Sequence, residues 1–326
     1  MIRRIAGLNE EQDWDYLLIR MENGKLCHGG DQGWWTTPDQ QDDTKSILPK
    51  TNPSKYRRAS RDERFRISFL GCGVIAMNNL EWYLSAKELG RKHAGGESTQ
   101  AQYMEQVRQN WNREYYISGN PINQLAGLYP WKMERGLMAF LAEHHCRWRK
   151  VKWAPYWNRT PQNQRKLMLE SIQNMLEAGL PVVCSYHTFD PKRKSLILYH
   201  SPEAAADAGA LEDREGQDAK AGFLKQNAEK RQQMQGRTGS VKESKRTRIN
   251  SHYMTIIGLY SFDMEEVLEN SEIDFLKAES SKNDLLKGEN WRNALLKVES
   301  WGRIYYVRFR DYAANLNYFT NILSIQ

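Results

Sequence analysis

Apolar positions along the chain recur in two ways, first at helical spacing and later in short continuous runs. After Gly71-Cys72-Gly73, residues Ala76, Met77, Leu80, Tyr83 and Leu84 share one face of an amphipathic helix, and the pattern stops at Gly90. A second helix is expected within Ala101–Tyr116. A third runs from about Trp131 to Trp148, with Met133, Leu137, Met138 and Leu141 on one side. A fourth opens at Thr160-Pro161, where Thr suits the cap and Pro the first turn. Met168, Ile172, Met175 and Leu176 form its buried face, and Gly179 ends it. The strand pattern includes an early candidate at Trp14–Ile19. Pro181–His187 and Ser195–His200 are expected to pair as neighbours across a turn at Asp190-Pro191. His252–Tyr260, Leu295–Gly302 and, as the last strand, Ile304–Phe309 follow. Helices first and strands afterwards predict an α+β domain, its helices packed on an antiparallel sheet.

Two polar stretches interrupt this pattern. Thr36–Arg64 has little to bury and is expected as an exposed loop (36–64). Ser201–Thr247 holds almost no Val, Ile or aromatic residue, so it cannot join a core and reads as a mobile insertion (201–247). No internal repeat is present, and residues 1–326 are expected to form a single domain.

Composition narrows the function classes. With 326 residues, 40% of them apolar, the chain can bury a substantial core. Four cysteines over that length exclude a disulfide scaffold. No window holds the roughly 18 unbroken apolar residues of a bilayer span, and the start lacks a secretory signal, so a cytoplasmic location away from membranes is expected. Lys and Arg number 47 against 40 Asp and Glu, a net +7 too small to argue for a polyanion partner. The densest basic run, Lys242–Arg248, carries no aromatic residue to stack on bases, and no nucleic-acid partner is expected.

The chemistry concentrates on three short segments. Cys72 lies between glycines immediately before a strong helix, where the helix N-terminus favours a thiolate and Gly71 and Gly73 let a substrate backbone approach. His252 opens an apolar strand and is placed to face that helix start. Glu299-Ser300-Trp301-Gly302 ends another strand, with Trp301 placed to cover the imidazole and shield its hydrogen bond to a carboxylate. A thiol, a base and a group that holds the base are what nucleophilic catalysis by cysteine requires.

The order of these pieces resembles the papain-like cysteine peptidase superfamily. Gly71-Cys72-Gly73-Val74-Ile75-Ala76-Met77 with Ser251-His252-Tyr253-Met254 is most similar to the bacterial group related to double-glycine leader peptidases. The resemblance spans roughly Gly29 to Arg308 and implies a papain-like fold, Cys72 as nucleophile and His252 as base. Glu299 occupies the orienting position, which is Asn or Asp in most relatives, and Ser300 is the alternative. In such peptidases an upstream glutamine helps bind the oxyanion, a role matched here by Gln32 in Asp31-Gln32-Gly33. It lies forty positions before Cys72, a longer gap than relatives have, so either 36–64 is an insertion or Gln32 belongs to a structural turn. Ser68 is a second donor candidate. Trp34 and Trp35 would wall a substrate groove or pack as core.

The implied activity is hydrolysis of a peptide or amide bond through a Cys72 thioester, with a bell-shaped pH profile and a peptide or protein substrate. A catalytically silent peptide-binding module of the same fold, and an acyl or peptidyl transferase using the same thioester, are the alternatives. Cys27-His28 reads as an ordinary loop pair and Cys184 as core. In His144-His145-Cys146, near the end of the third helix, adjacent residues point in different directions and cannot all hold one ion, and cationic His there suits the helix dipole. No phosphate loop, dinucleotide fingerprint or zinc spacing is present, so neither cofactor nor metal is expected.

Overall fold

The structure is a computed structural model that describes residues 2–9, 17–35, 64, 67–68, 71–87, 99–113, 128–148, 150–189, 195–208, 246–262 and 290–326. Its strands, in chain order, begin with β1 (Ile2–Gly7), β2 (Leu18–Arg20), β3 (Leu26–His28) and β4 (Val151–Trp153). They continue with β5 (Val182–His187), β6 (Leu196–Tyr199), β7 (Arg246–Ile249), β8 (Ser251–Phe262), β9 (Ala294–Ser300), β10 (Arg303–Arg308) and β11 (Asn321–Ile325). The helices are α1 (Cys72–Lys87), α2 (Gln100–Arg113), α3 (Pro130–Glu143), α4 (Pro161–Glu177) and the short α5 (Phe309–Ala313). The class is α+β, with helices against a large antiparallel sheet.

β8 organises that sheet. Its residues Met254–Leu259 are buried without alternation, the signature of a strand covered on both faces. Among the described residues the strand order is β4-β11-β5-β8-β9-β10-β6-β7. β5 pairs with Ser251–Ile256 and β1 with Gly258–Phe262, so the two share one edge of β8 end to end. α1 and α4 both pack on β8 and β5. In α4 the expected face is in place, with Met168, Ile172, Met175 and Leu176 all buried.

α1 departs from the one-sided helix expected. Every residue from Gly73 to Ala86 is buried, and several of its polar side chains find partners inside the protein, although Asn78 Nδ2 has none. Asn110 Nδ2 donates to Asn78 Oδ1 (2.8 Å) and Glu81 Oε2 (2.6 Å), and the Tyr83 hydroxyl donates to the Gly179 carbonyl (2.7 Å). Satisfied groups of this kind can be buried at little cost.

Several expectations are corrected. β5 and β6 are not neighbours: β8, β9 and β10 stand between them, because β5 is buried along Val182–Tyr186 and takes the mid-sheet place between β8 and β11. Ile304–Phe309 is not the last strand, since Asn321–Ile325 inserts between β4 and β5; its Asn321 and Ser324 broke the apolar pattern. Strands also precede the helices, as β1 to β3 do. The third helix ends at Glu143; His144 caps it and His145 turns to φ 51°, so the His144-His145-Cys146 run lies beyond the helix. Thr160 makes no side-chain cap bond, and Pro161 alone marks that start. Cys27-His28 lies in β3 rather than a loop.

The stretch 201–247 is folded at both ends. Residues 202–208 are helical and Ala205 packs with Tyr199, Phe262 and Leu295, while Arg246 and Thr247 pair with β6. Its interior 209–245, Trp14–Tyr16 of the early strand, the Gly90 stop, the last residues before Tyr116, the Asp190-Pro191 turn and all of 36–64 except Arg64 lie outside the described residues.

Candidate functional site

The sheet leaves a notch at one end of its central strand. The last residue pair between β8 and β9 is Thr255 with Glu299, yet β8 runs on to Ser251 while β9 stops at Ser300. Into this notch α1 points its first residue, Cys72. A small, partly open cavity is lined there by Cys72, His252, Gln32, Glu299, Ser300 and Trp301, together with Asn79, Thr255 and the first turns of α1. Residues scattered over 270 positions of the chain thus meet at one helix start.

A tight hairpin builds the imidazole's surroundings. Ser300 pairs with Arg303, so Trp301 and Gly302 are the two-residue loop between β9 and β10. Both have positive φ, 48° and 67°, as the turn that matches strand twist requires. That conformation is costly for tryptophan, and the return is placement: Trp301 stacks on His252 with ring centroids 4.2 Å apart and planes 22° apart. Ser300 Oγ lies 2.6 Å from His252 Nε2. The expected cover by Trp301 is therefore present, while the side chain that reaches the imidazole is Ser300 and not Glu299.

Strand parity explains the difference. Glu299 sits directly across from Thr255 and shares its face of the sheet, whereas His252 is three residues further along β8 and points the other way. Ser300, the next residue, has the parity that Glu299 lacks. The Glu299 carboxyl turns to α1 instead, where Asn79 Nδ2 donates to its Oε1 at 2.6 Å. Its Oε2 is buried without a protein partner, as is Thr255 Oγ1.

Gln32 reaches the cysteine despite the forty-residue gap. It opens a 3-10 turn, Gln32–Trp35, and its amide lies over the residues that lead into α1, with Nε2 3.4 Å from the Ile67 and Ser68 carbonyls. With the amide turned over, Oε1 accepts from the N–H groups of Cys72 (3.0 Å) and Gly71 (3.2 Å). Ser68 offers Gln32 a carbonyl rather than a donor. Gly71 and Gly73 serve internal packing: a Cβ at Gly71 would lie 2.3 Å from the Ile67 carbonyl oxygen, and one at Gly73 would lie 2.8 Å from Leu128 Cβ. Trp34 and Trp35 do not line the cavity. They stack on one another at 6.3 Å, Trp35 is buried, and Trp34 meets Tyr103 edge-on.

Burial sets the protonation states. It lowers the His252 imidazole to about 3 and raises the Glu299 carboxyl to about 8. It also raises the Cys72 thiol, against which backbone hydrogen bonds from Tyr253, Gly73 and Cys72 itself pull down. At neutral pH the resting pair is a neutral thiol beside a neutral imidazole. Cys72 is half-buried, whereas Cys27, Cys146 and Cys184 are buried. Cys27 is pushed up to about 12 by burial and by the nearby Glu299 and Asp31, and burial raises Cys184 as well.

Among the described residues no group of three or more His, Cys, Asp or Glu is placed to hold a metal ion, and no helix is long and apolar enough to cross a membrane. Asn79 is the site residue that sequence reasoning missed. The signal existed: it stands seven positions after Cys72, two turns along the same helix face, as a polar residue in an apolar run.

No match was found among protein-family models, curated proteins or solved structures.

Proposed function

We propose that the protein is a cysteine peptidase of papain-like fold that cleaves a peptide or amide bond through a Cys72 thioester. The observation that carries this reading is the convergence of Cys72, His252, Gln32 and the Ser300-Trp301 turn on one small, partly open cavity at the start of α1. With its Nε2–H donated to Ser300 Oγ, His252 leaves Nδ1 to take the Cys72 proton. The thiolate attacks the acyl carbon and forms the C–S bond. The developing oxyanion displaces Gln32 Oε1 from the Cys72 N–H, and the Gln32 amide turns so that Nε2 donates to it. Collapse breaks the C–N bond, the imidazolium proton passing to the leaving amine. Water then attacks the thioester, gives its proton to His252, and releases the acid and the free thiol. Because thiol and imidazole start neutral, proton transfer accompanies attack rather than preceding it.

The same neutral pair, with the Cys72 N–H occupied by Gln32, favours a second reading as a catalytically silent peptide-binding module. A peptidyl electrophile applied at neutral pH separates the two. Under the peptidase reading the native protein is labelled once, Cys72→Ser abolishes labelling, and Cys27→Ser and Cys184→Ser do not. Labelling retained in Cys72→Ser would overturn the assignment, and no labelling of the native protein would leave the binding module.

A further inference from the structure

Glu299 has two possible duties next to Cys72, and its contacts favour the one not expected of its position. We propose, on the reading that Cys72 is a nucleophile, that Glu299 is a positioning residue for the oxyanion side of the site. Through Asn79 it clamps Gly29-Gly30 onto α1 and so delivers Gln32 to the Cys72 N–H.

Three observations carry this. Asn79 bridges the two elements: its Nδ2 donates to Glu299 Oε1 at 2.6 Å, while its Oδ1 accepts the Gly30 N–H at 3.1 Å and the Tyr103 hydroxyl. The two glycines fit this clamp closely. A Cβ on Gly29 would lie 1.5 Å from Glu299 Oε1 and 2.6 Å from Asn79 Nδ2, and one on Gly30 would lie 2.3 Å from the Tyr103 ring. Gln32 follows two residues after Gly30, so pinning Gly30 limits where its amide can be. The imidazole duty, by contrast, already belongs to Ser300 at 2.6 Å, on the face of the sheet that Glu299 does not share. A neutral carboxyl suffices to accept from Asn79, in keeping with the upward push that burial gives Glu299.

The test pairs two reactions of Cys72 with a readout that needs no activity. Acylation by p-nitrophenyl acetate develops an oxyanion; alkylation by iodoacetamide does not. Glu299→Ala and Glu299→Asp, neither of which reaches Asn79, are expected to slow acylation about 100-fold, the usual cost of a lost oxyanion donor, with the pH midpoint of alkylation unmoved. Residue-resolved amide exchange at Gly30 should quicken at least about tenfold in both, since its N–H loses a fixed acceptor. Glu299→Gln restores the acceptor and is expected to keep both Gly30 protection and the alkylation midpoint, whereas Ser300→Ala moves the midpoint. A shifted midpoint in Glu299→Gln overturns the proposal in favour of an imidazole duty, and it does so even if Glu299→Ala fails to fold. Native Gly30 exchange in Glu299→Asp or Glu299→Ala overturns it too. If the native protein shows no acylation, the peptidase reading fails, and Gly30 exchange still decides what Glu299 holds.

Discussion

Replacing Glu299 by glutamine should make the protein more stable in alkali and leave it unchanged in acid. The carboxyl is 1% exposed and has one oxygen on Asn79 and the other without a protein partner. Burial raises it from 4.5 to about 8 in the folded protein. The folded state therefore keeps a proton that the unfolded chain releases above about pH 4.5. The sign follows: stability from this group is complete below the unfolded value and is lost as pH rises to the folded one. At about 1.4 kcal/mol per pH unit, the loss approaches 5 kcal/mol by pH 8. His252 acts in the opposite sense, because burial lowers it from 6.5 to about 3 and the unfolded chain takes up a proton that the fold refuses. Its contribution is complete above 6.5 and is lost on acidification toward 3. Between pH 4.5 and 6.5 the two slopes cancel, so these groups give the native protein a plateau there and a decline on either side. Glutamine removes the Glu299 slope, so that stability from these groups then rises up to pH 6.5 and holds above it. Water drawn to Oε2 on ionisation recovers part of the loss, so the expected gain of Glu299→Gln is about 2–5 kcal/mol near pH 9 and close to zero near pH 4.5. Urea unfolding followed by tryptophan fluorescence at several pH values, with the m-value checked for constancy, measures this. A stability difference that does not change with pH would refute the reasoning, because it would mean that Glu299 is ionised in the fold.

Two further outcomes are expected. Ser300→Ala leaves the buried His252 Nε2 without its partner, which costs about 1–3 kcal/mol, and Cys72 alkylation should slow about tenfold while Ser300→Thr retains most of the rate; an unchanged rate in Ser300→Ala would remove Ser300 from the site. Gly29→Ala places a Cβ on Glu299 Oε1 at a φ of 65°, and should lower stability by more than about 2 kcal/mol, read as a drop in the urea midpoint; a native midpoint would mean that the Gly29 turn is not held by Glu299.

The sequence was most informative where one element carries its own pattern. The buried face of α4 follows from four residues at helical spacing, and the apolar run of β8 identified the strand that bears His252. Strand order was not accessible in the same way. Which strands pair depends on burial on both faces, and β5 and β6, close in sequence, have different neighbours for that reason. β11 went unseen because Asn321 and Ser324 are buried in it, where tertiary partners and not local pattern decide. At the site, Cys72, His252 and Trp301 could be read from local motifs. The exchange of Glu299 for Ser300 could not, because it turns on the register of β9 against β8, a property of two strands together. Gln32 was legible as a residue but not as a place, since forty intervening positions say nothing about where a chain returns.

The Trp301-Gly302 turn has a consequence for how the site could be altered. On one side its indole lies against the imidazole; on the other, the Gly302 carbonyl accepts the His28 N–H at 3.1 Å, and the Gly302 backbone rests beside Cys27. The segment that ends in Gln32 is thus seated on the same two residues that roof His252. His252 and Gln32, though 220 positions apart in the chain, share one mechanical joint, and transplanting or loosening that corner would disturb both at once.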